Sequence, residues 1–431
     1  MEGAEIGTAH SNVTGTTSPV LGPVASTERH RITLAKRRSG RGDKITIRSA
    51  MQINRVRLLS QVTLLAMAGA FSNTMSTAAP HHSKYFLYVG TYGKGVYGYS
   101  YDSTNGSLQP LSIVGEAANP SWVGTDSEYK YLFAVSELDG DNKGSVHSFA
   151  IDHATGKLTP INSRSVDGLA PCHLEVDKTS KVLVVANYTS GNVASYPLGT
   201  DGTIGELASL MGATGSGPDK ERQEGPHMHA TVFSADNKFL YVPDLGLDLI
   251  HIFKFDTATA KLTEAGSVKE APGSGPRHIV FSPNDKFAYV INELKPVVSV
   301  YEHIAKTGKL INIQTISSVP DGQKGEVGPA EILIDRAGKY VYASNRGPGT
   351  IAVFAKDQAT GKLTLVQTAE TGFTWPRGVA FDPTGHTLLV GDQKTDKFVT
   401  FQIDHASGKL TLTGKSYAVP SPVAFVFVPA S

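Results

Sequence analysis

The chain has 431 residues, with 40 Lys and Arg against 39 Asp and Glu, and a single Cys. The near-zero net charge argues against a nucleic-acid binder that works through a broadly basic face. One Cys excludes an internal disulfide framework and a cysteine zinc cluster. The 44 Gly and 23 Pro are typical of a chain rich in turns rather than helices.

The first fifty residues differ in character from the rest of the chain. Residues 1–50 show little apolar periodicity and contain a basic stretch between Arg29 and Arg48. Such a composition is typical of a disordered arm, or of upstream sequence translated from a misassigned start. Residues 1–50 are therefore predicted to lie outside the folded domain.

Met51 opens a segment with the plan of a secretory signal peptide. Two arginines supply a basic beginning, residues 58–71 are mostly apolar, and small residues lead up to Ala79. The apolar run is shorter than a membrane-spanning helix requires. The pattern predicts a signal peptide over residues 51–79, export to the periplasm or the outside, and no stable membrane insertion after cleavage. An uncleaved anchor or a mispredicted terminus, with the protein left in the cytoplasm, is the alternative.

From Lys84 onward the sequence repeats itself. A turn of the form D-x-x-T-G-K-L, built from turn-forming residues, recurs in seven copies spaced 47 to 55 residues apart. A Pro that opens a predicted strand recurs in step with it. A charged turn and a β-rich run such as FAYVIN or YVYASN follow. The opening prolines are Pro120, Pro171, Pro226, Pro276, Pro329, Pro376 and Pro422.

A repeat of about fifty residues with about four strands is typical of a propeller blade. The segment at Lys84 begins with the second strand of a blade, whereas the tail from Pro422 supplies a first strand. The two pieces add up to one blade, and pairing them removes both exposed terminal edges. We therefore predict an all-β fold, a single seven-bladed β-propeller domain over residues 84–429, with the ring closed by this split blade.

Functional side chains should gather where first strands begin and second strands end, because both points lie on one face near the propeller axis. A small polar residue ends the second strand in every blade and is predicted to tie off the hairpin turn. The next position varies, and variation within a repeat array is where a site can be grafted. The residues predicted to gather on this face are His173, His227, His229, Arg277, His278, Glu293, Glu331, Arg346 and Arg377.

These residue types suit an anionic small molecule, because arginine forks bind carboxylate or phosphate. Histidine can move a proton near neutral pH. Structural interpretations stay open for some of them. His173 or His278 could bind a carbonyl of the channel wall, and Arg377 with Glu331 could form an ion pair between blades. The lone Cys172 is interpreted as a buried apolar residue rather than a nucleophile.

A metal site is weakly supported. His227 and His229 could form a metal-binding pair, but only a carboxylate such as Glu293 could complete it, and no signature spacing is present. We therefore predict no metal and no other cofactor.

Three segments carry a resemblance to a known family: RQEGPHMHATVFSADNKFLYVPDLGLD, GSGPRHIVFSPNDKFAYVINEL and GPAEILIDRAGKYVYASNRG. They resemble the lactonase family of seven-bladed propellers, which includes propeller-type 6-phosphogluconolactonases and the fungal carboxy-muconate lactonizing enzyme. The resemblance covers residues 84–429 and implies a metal-independent site on one channel mouth, built from a His, a Glu and two Arg. By motif these positions fall on His229 or His227, Glu293, Arg277 and Arg346.

The resemblance implies hydrolysis of a sugar-type lactone. His229, or His227, would act as general base on water, and Glu293 would orient that His or shuttle the proton to the ring oxygen. Arg277 would stabilise the oxyanion. The residues expected to contact the substrate are Arg346, His173, His278, Glu331 and Arg377.

Two other functions stay open. Lactonization of a carboxy-muconate would use the same base and the same arginines. A non-catalytic exported binding module would show near-identical blades and no convergent polar face. The expected partner is a small anionic or sugar lactone, unphosphorylated or carboxylated if the protein is exported, and the expected oligomeric state is a monomer.

Overall fold

The computed structural model of the protein describes residues 82–141 and 143–431. These residues form 28 β-strands arranged in seven four-stranded antiparallel sheets, and no helix occurs among them. Accordingly, no helix within these ranges could cross a membrane. The predicted arm over residues 1–50 and the predicted signal peptide over residues 51–79 lie outside the described residues.

Each sheet is one blade of a seven-bladed β-propeller, which confirms the predicted fold class. Blade 1 contains β1 (Lys84–Thr91), β2 (Gly95–Asp102), β3 (Ser107–Glu116) and the final strand β28 (Pro422–Pro429). Blade 2 contains β4 (Val123–Thr125), β5 (Tyr131–Ser136), β6 (Ser145–Ile151) and β7 (Leu158–Ser165). Blade 3 contains β8 (Pro171–Val176), β9 (Val182–Asn187), β10 (Asn192–Pro197) and β11 (Ser209–Gly212).

The remaining four blades follow in chain order. Blade 4 contains β12 (Val232–Phe233), β13 (Phe239–Asp244), β14 (Leu249–Asp256) and β15 (Lys261–Lys269). Blade 5 contains β16 (Pro276–Phe281), β17 (Phe287–Asn292), β18 (Val297–Ile304) and β19 (Lys309–Ser317). Blade 6 contains β20 (Gly328–Ile334), β21 (Tyr340–Arg346), β22 (Thr350–Lys356) and β23 (Leu363–Glu370). Blade 7 contains β24 (Pro376–Phe381), β25 (Thr387–Asp392), β26 (Lys397–Ile403) and β27 (Leu410–Ala418).

The ring is closed by the predicted split blade. β28 pairs antiparallel with β1, and the register runs from Tyr85 opposite Pro429 to Val89 opposite Phe425. β28 also contacts β24 of blade 7 and β4 of blade 2, so it occupies the innermost position of its blade. Pairing of the two chain segments therefore leaves neither β1 nor β28 as a free edge.

Apolar side chains pack between neighbouring blades rather than in one central core. Phe287 and Ile291 of blade 5, for example, pack with Val341 and Phe354 of blade 6, and all four are buried. Alternate residues of each inner strand face opposite neighbours. The buried run FAYVIN therefore contributes to two such layers.

The repeated turn connects the two outer strands of a blade and accepts a hydrogen bond from the preceding blade. Gly361 adopts a φ of +72°, which favours glycine, and its carbonyl accepts a hydrogen bond from the hydroxyl of buried Tyr289 at 3.0 Å. A Cβ at Gly361 would lie 2.2 Å from the ring of Phe287. The same bond between blades recurs in Tyr88 to Gly156 (3.1 Å), Tyr241 to Gly308 (2.9 Å) and Tyr342 to Gly408 (2.9 Å).

The small polar residue at the end of each second strand has the predicted structural role. Thr91 donates to the carbonyl of Gly95 at 3.0 Å, and the Asp244 carboxylate accepts the N–H of Gly246 at 3.0 Å. All seven residues of this column are buried. These side chains close the hairpin turns, so the position available for functional residues is the variable one that follows.

Candidate active site

β-Bulges shape the start of the inner strands. The ladder of β16 skips Arg277, between Pro276 and His278. The ladders of β24 and β8 likewise skip Arg377 and Cys172. A bulge turns the extra residue out of the regular alternation and commonly lies beside a functional site. The residue directly after the opening proline is thereby aimed differently from its neighbours.

The nine predicted residues come from blades 3 to 7, and all except the half-buried Arg377 are buried. Four of them line one small enclosed space together with Trp122 and Cys172: Arg277, His278, Glu331 and Arg377. A larger surface cavity lies at the opposite ends of the inner strands and contains none of the nine. The predicted site residues thus converge at one end of the channel.

Glu293 is the centre of an arginine cluster, which we define as Arg222, Arg277, Arg346 and Glu293. Glu293 Oε2 accepts from Arg277 Nε at 2.9 Å and forms an ion pair with Arg346 Nη2 at 2.9 Å. Its Oε1 accepts from Arg222 Nη2 at 2.6 Å. Burial acts to raise the pKa of the Glu293 carboxyl, but the three arginines outweigh burial and hold this pKa well below its usual range. Glu293 is therefore a permanent carboxylate.

This arrangement differs from the predicted role of Glu293. Both carboxylate oxygens are occupied by arginines, and no histidine among the described residues hydrogen-bonds to them. Glu293 therefore orients arginines rather than a histidine.

The cluster includes one residue that the sequence analysis missed. Arg222 lies in the long connection between β11 and β12, where the Asp219 carboxylate accepts the backbone N–H groups of Glu221 and Arg222. This turn directs the Arg222 side chain, 41% exposed, toward Glu293 and toward the Tyr188 hydroxyl at 3.3 Å. The sequence feature that could have pointed to this loop is the 55-residue spacing before Pro226, the longest between opening prolines.

The arginines differ in how many donors they have left. Arg277 Nη1 donates to the Ala330 carbonyl at 2.5 Å and to His278 Nε2 at 3.2 Å, and Nη2 has no hydrogen-bond partner in the described ranges. Burial, followed by the charge of Arg377, lowers the pKa of Arg277 to about 10. Arg277 is therefore still charged at neutral pH and retains a free N–H group.

Arg377, rather than Arg346, has more free N–H donors, although Arg346 was expected to be the main contact of the substrate. Arg346 Nε donates to the carbonyl of Gly328 at 2.7 Å and Nη2 to that of Pro329 at 3.2 Å, in addition to the ion pair with Glu293. Arg377 makes one long hydrogen bond to Gln393, at 3.4 Å, within the described part of the chain. The Arg377 guanidinium stacks 5.1 Å from the ring centroid of Tyr92. Arg377 therefore has more donors available to a ligand than Arg346 has.

Three buried imidazoles lie side by side. The ring centroid of His278 is 5.4 Å from that of His173 and 5.2 Å from that of His229. Burial is the largest cause that lowers the pKa of each of them well below its usual value, and Arg277 adds to the effect. All three are therefore neutral at neutral pH.

Each ring has its own partners. His173 Nδ1 accepts the N–H of Thr231 at 3.3 Å, and His278 Nδ1 lies 2.8 Å from Glu331 Oε1. The possible ion pair between Arg377 and Glu331 is not formed, since Glu331 binds His278 instead. The carbonyl partner considered for His173 and His278 is replaced by these contacts.

His227 and His229 differ in their free nitrogen atoms. His227 Nδ1 lies 3.0 Å from the Tyr188 carbonyl and Nε2 lies 3.2 Å from Glu224 Oε1, so each nitrogen faces an acceptor of the protein. His229 Nδ1 lies 3.7 Å from Cys172 Sγ, and Nε2 has no hydrogen-bond partner among the residues described. Burial raises the pKa of Cys172, which matches its interpretation as a packing residue. Of the two histidines, His229 alone has a ring nitrogen that faces no polar partner among the described residues.

In the described ranges, no group of three or more His, Cys, Asp and Glu side chains is arranged to hold a metal ion. The possible metal pair of His227 and His229 thus has no third ligand there. Independence of the reaction from metals remains a prediction.

The fold is a seven-bladed propeller, and its arginines and neutral imidazoles gather at one channel mouth. The chain belongs to the family described as "Lactonase, 7-bladed beta-propeller", whose model matches residues 86–427. The predicted resemblance is therefore confirmed.

The chain is also similar to named proteins. The 6-phosphogluconolactonase of Bacillus subtilis is 36% identical over 350 residues, which cover 80% of this chain and 99% of that protein. The 6-phosphogluconolactonase of Formosa agariphila is 35% identical over 318 residues, 71% of this chain and 89% of that protein. The structure of the periplasmic gluconolactonase of Pseudomonas aeruginosa is 32% identical, with a TM-score of 0.76 over 81% of this chain and 100% of that one.

Proposed function

We propose that this protein is a lactonase that hydrolyses a sugar lactone at the arginine cluster. The observation that carries the proposal is the charge balance there: three arginines share the single carboxylate of Glu293, next to neutral imidazoles. Lactone hydrolysis passes through an oxyanion and ends in a carboxylate, and preorganised positive charge stabilises both. The lactonases among the relatives support the same reaction.

In the proposed mechanism His229 is the general base. Its free Nε2 takes a proton from water while the water oxygen bonds to the lactone carbonyl carbon. The free Nη2 of Arg277 and the donors of Arg377 stabilise the resulting oxyanion. The bond from that carbon to the ring oxygen then breaks, and Nε2 returns the proton to the ring oxygen. Glu293 holds the arginines in place throughout.

The structure argues against a non-catalytic binding module but does not distinguish lactone hydrolysis from lactonization of a carboxy-muconate. A non-catalytic module was expected to lack a convergent polar face, whereas here His278, Arg277, Glu293 and Glu331 contact one another or share partners. Lactonization of a carboxy-muconate needs the same groups and is separated by product analysis with a carboxy-muconate as substrate.

The reaction is tested by acid release from fresh 6-phosphoglucono-δ-lactone and from glucono-δ-lactone, each corrected for spontaneous opening. We expect the purified protein to accelerate at least one of them, with the same rate before and after treatment with EDTA. Faster opening of the phosphorylated lactone would match the Bacillus relative, and opening of the unphosphorylated lactone alone would match the Pseudomonas relative. Acceleration of neither would overturn the proposal and favour the muconate reaction or a binding role, and loss with EDTA would overturn metal independence.

We also propose that the protein is exported, with the signal peptide over residues 51–79 removed. The pattern of that segment and the periplasmic Pseudomonas relative support the proposal. Expressed from Met51 in the source cells, the protein should appear outside the cytoplasm with its first residue near Pro80. A matched Leu65→Arg variant, which places a charge in the apolar run, should stay inside and uncleaved. Intact Met51 on wild-type cytoplasmic protein would contradict export.

A further inference from the structure

His278 and Glu331 form a buried pair that the mechanism above leaves without a role. His278 Nδ1 lies 2.8 Å from Glu331 Oε1, and His278 Nε2 lies 3.2 Å from Arg277 Nη1. A guanidinium can only donate, so Nε2 carries the lone pair and Nδ1 carries the hydrogen. Each hydrogen bond is therefore donated in the same direction: Arg277 donates to His278, and His278 donates to Glu331.

Glu331 is itself fixed by its strand. Its Oε1 also accepts the N–H of Ile332 at 3.0 Å, and its own N–H donates to Ser344 Oγ at 3.0 Å. Glu331 and His278 are 7% and 4% exposed. The bond at one ring nitrogen decides which nitrogen of a histidine carries the hydrogen. The protein, and not solvent, thus sets the tautomer of His278.

We propose that the His278–Glu331 pair positions Arg277 for catalysis, by holding His278 in the tautomer whose Nε2 accepts from Arg277. Arg277 Nε is taken by Glu293, and Nη1 by His278 and the Ala330 carbonyl. Only Nη2 is then left for the reacting carbonyl. The inference rests on the proposed lactone hydrolysis, and it gives His278 and Glu331 a positioning role in place of the substrate contact predicted from sequence.

The pair also predicts a pH dependence. Burial raises the pKa of Glu331 to about 7, partly opposed by Arg277, while burial and Arg277 hold the pKa of His278 well below its usual value. Above pH 7 the charged carboxylate accepts strongly from Nδ1–H. Below it the carboxyl is protonated, this hold weakens and activity falls. The charged and titratable groups that face the pair are Arg277, Arg346, Arg377, Glu293, His173 and His229.

The first test compares two substitutions of one residue. His278→Leu keeps the volume but removes the acceptor for Arg277, so kcat for the lactone should fall about 30-fold with KM changed less than about twofold, as expected for loss of a hydrogen bond to a charged group. His278→Gln offers a side-chain oxygen in place of Nε2 and should recover kcat to within about fivefold of wild type. Equal loss in both variants, with equal thermal midpoints, would overturn the positioning role.

The second test is the pH profile of Glu331→Gln. The amide oxygen still accepts from Nδ1–H but does not ionise, so the rise in kcat through about pH 7 should disappear. Persistence of that rise in Glu331→Gln would assign it to another group and overturn the proposal.

A third readout is independent of turnover. ¹⁵N spectra of the imidazoles, with the His278 signal assigned through His278→Gln, should show the Nδ1–H tautomer of His278 above pH 7. The opposite tautomer would overturn the inference even in an active enzyme. Absence of lactone hydrolysis by the wild-type protein, with the expected tautomer present, would instead count against the proposed function.

Discussion

We expect His229→Ala to lower kcat for lactone hydrolysis by about 10²- to 10⁴-fold, the usual contribution of a general base. The Nε2 atom of His229 is the free nitrogen proposed to take the proton of the attacking water. KM should change little, because the proposed anion contacts are made by Arg277 and Arg377. The measurement is steady-state kinetics on the lactone that the wild-type protein opens faster.

The matched control is His227→Ala. His227 is buried to the same 5% exposure and stacks on Tyr188, with ring centroids 4.5 Å apart, but each of its nitrogens faces an acceptor of the protein. We expect less than about a fivefold change in kcat for this variant. A large loss in His227→Ala, or full activity in His229→Ala, would reverse the assignment of the base.

The second large effect is expected for Arg277→Lys, which should lower kcat by about 10²- to 10³-fold, as loss of an oxyanion donor does. Lysine keeps the positive charge but has a single ammonium group in place of the guanidinium fork. That group cannot bind Glu293 and the Ala330 carbonyl while also reaching the oxyanion. Kinetics of purified, folded variant protein provide the measurement.

Arg336→Lys serves as the control for this substitution, because Arg336 is exposed in the turn that follows β20. Its kcat and thermal midpoint should match those of the wild-type protein. Unchanged kcat in Arg277→Lys would remove Arg277 from the reaction and leave Arg377 as the arginine that contacts the oxyanion.

The fold could be predicted from the sequence because every blade repeats the same local signals. The opening proline and the D-x-x-T-G-K-L turn recur in register, and seven copies of each outweigh the ambiguity of any one copy. The structure adds a reason for the turn that spacing alone does not reveal. The carbonyl of its glycine, as at Gly361, accepts a hydrogen bond from a tyrosine of the preceding blade.

The residues of the site could be predicted from the sequence, but the hydrogen bonds and ion pairs between them could not. Register along the strands placed Arg277, Glu293 and Glu331 on one face, and these residues do converge there. Which side chain binds which depends on rotamers and on β-bulges that leave no clear mark in one sequence. Arg222 was not predicted because its loop lies outside the repeat, so it could not be aligned with an equivalent position in another blade.

The split blade also sets the order in which this fold can be completed. One edge of β1 pairs with the adjacent β2, whereas the other edge finds its partner only in residues 422–429, at the far end of the domain. Such distant contacts form slowly, since the chain between them must first be ordered. Until then β1 remains an unpaired edge able to recruit strands from other chains. During synthesis the ring therefore stays open until the last strand emerges, and this interval is when aggregation competes most directly with folding.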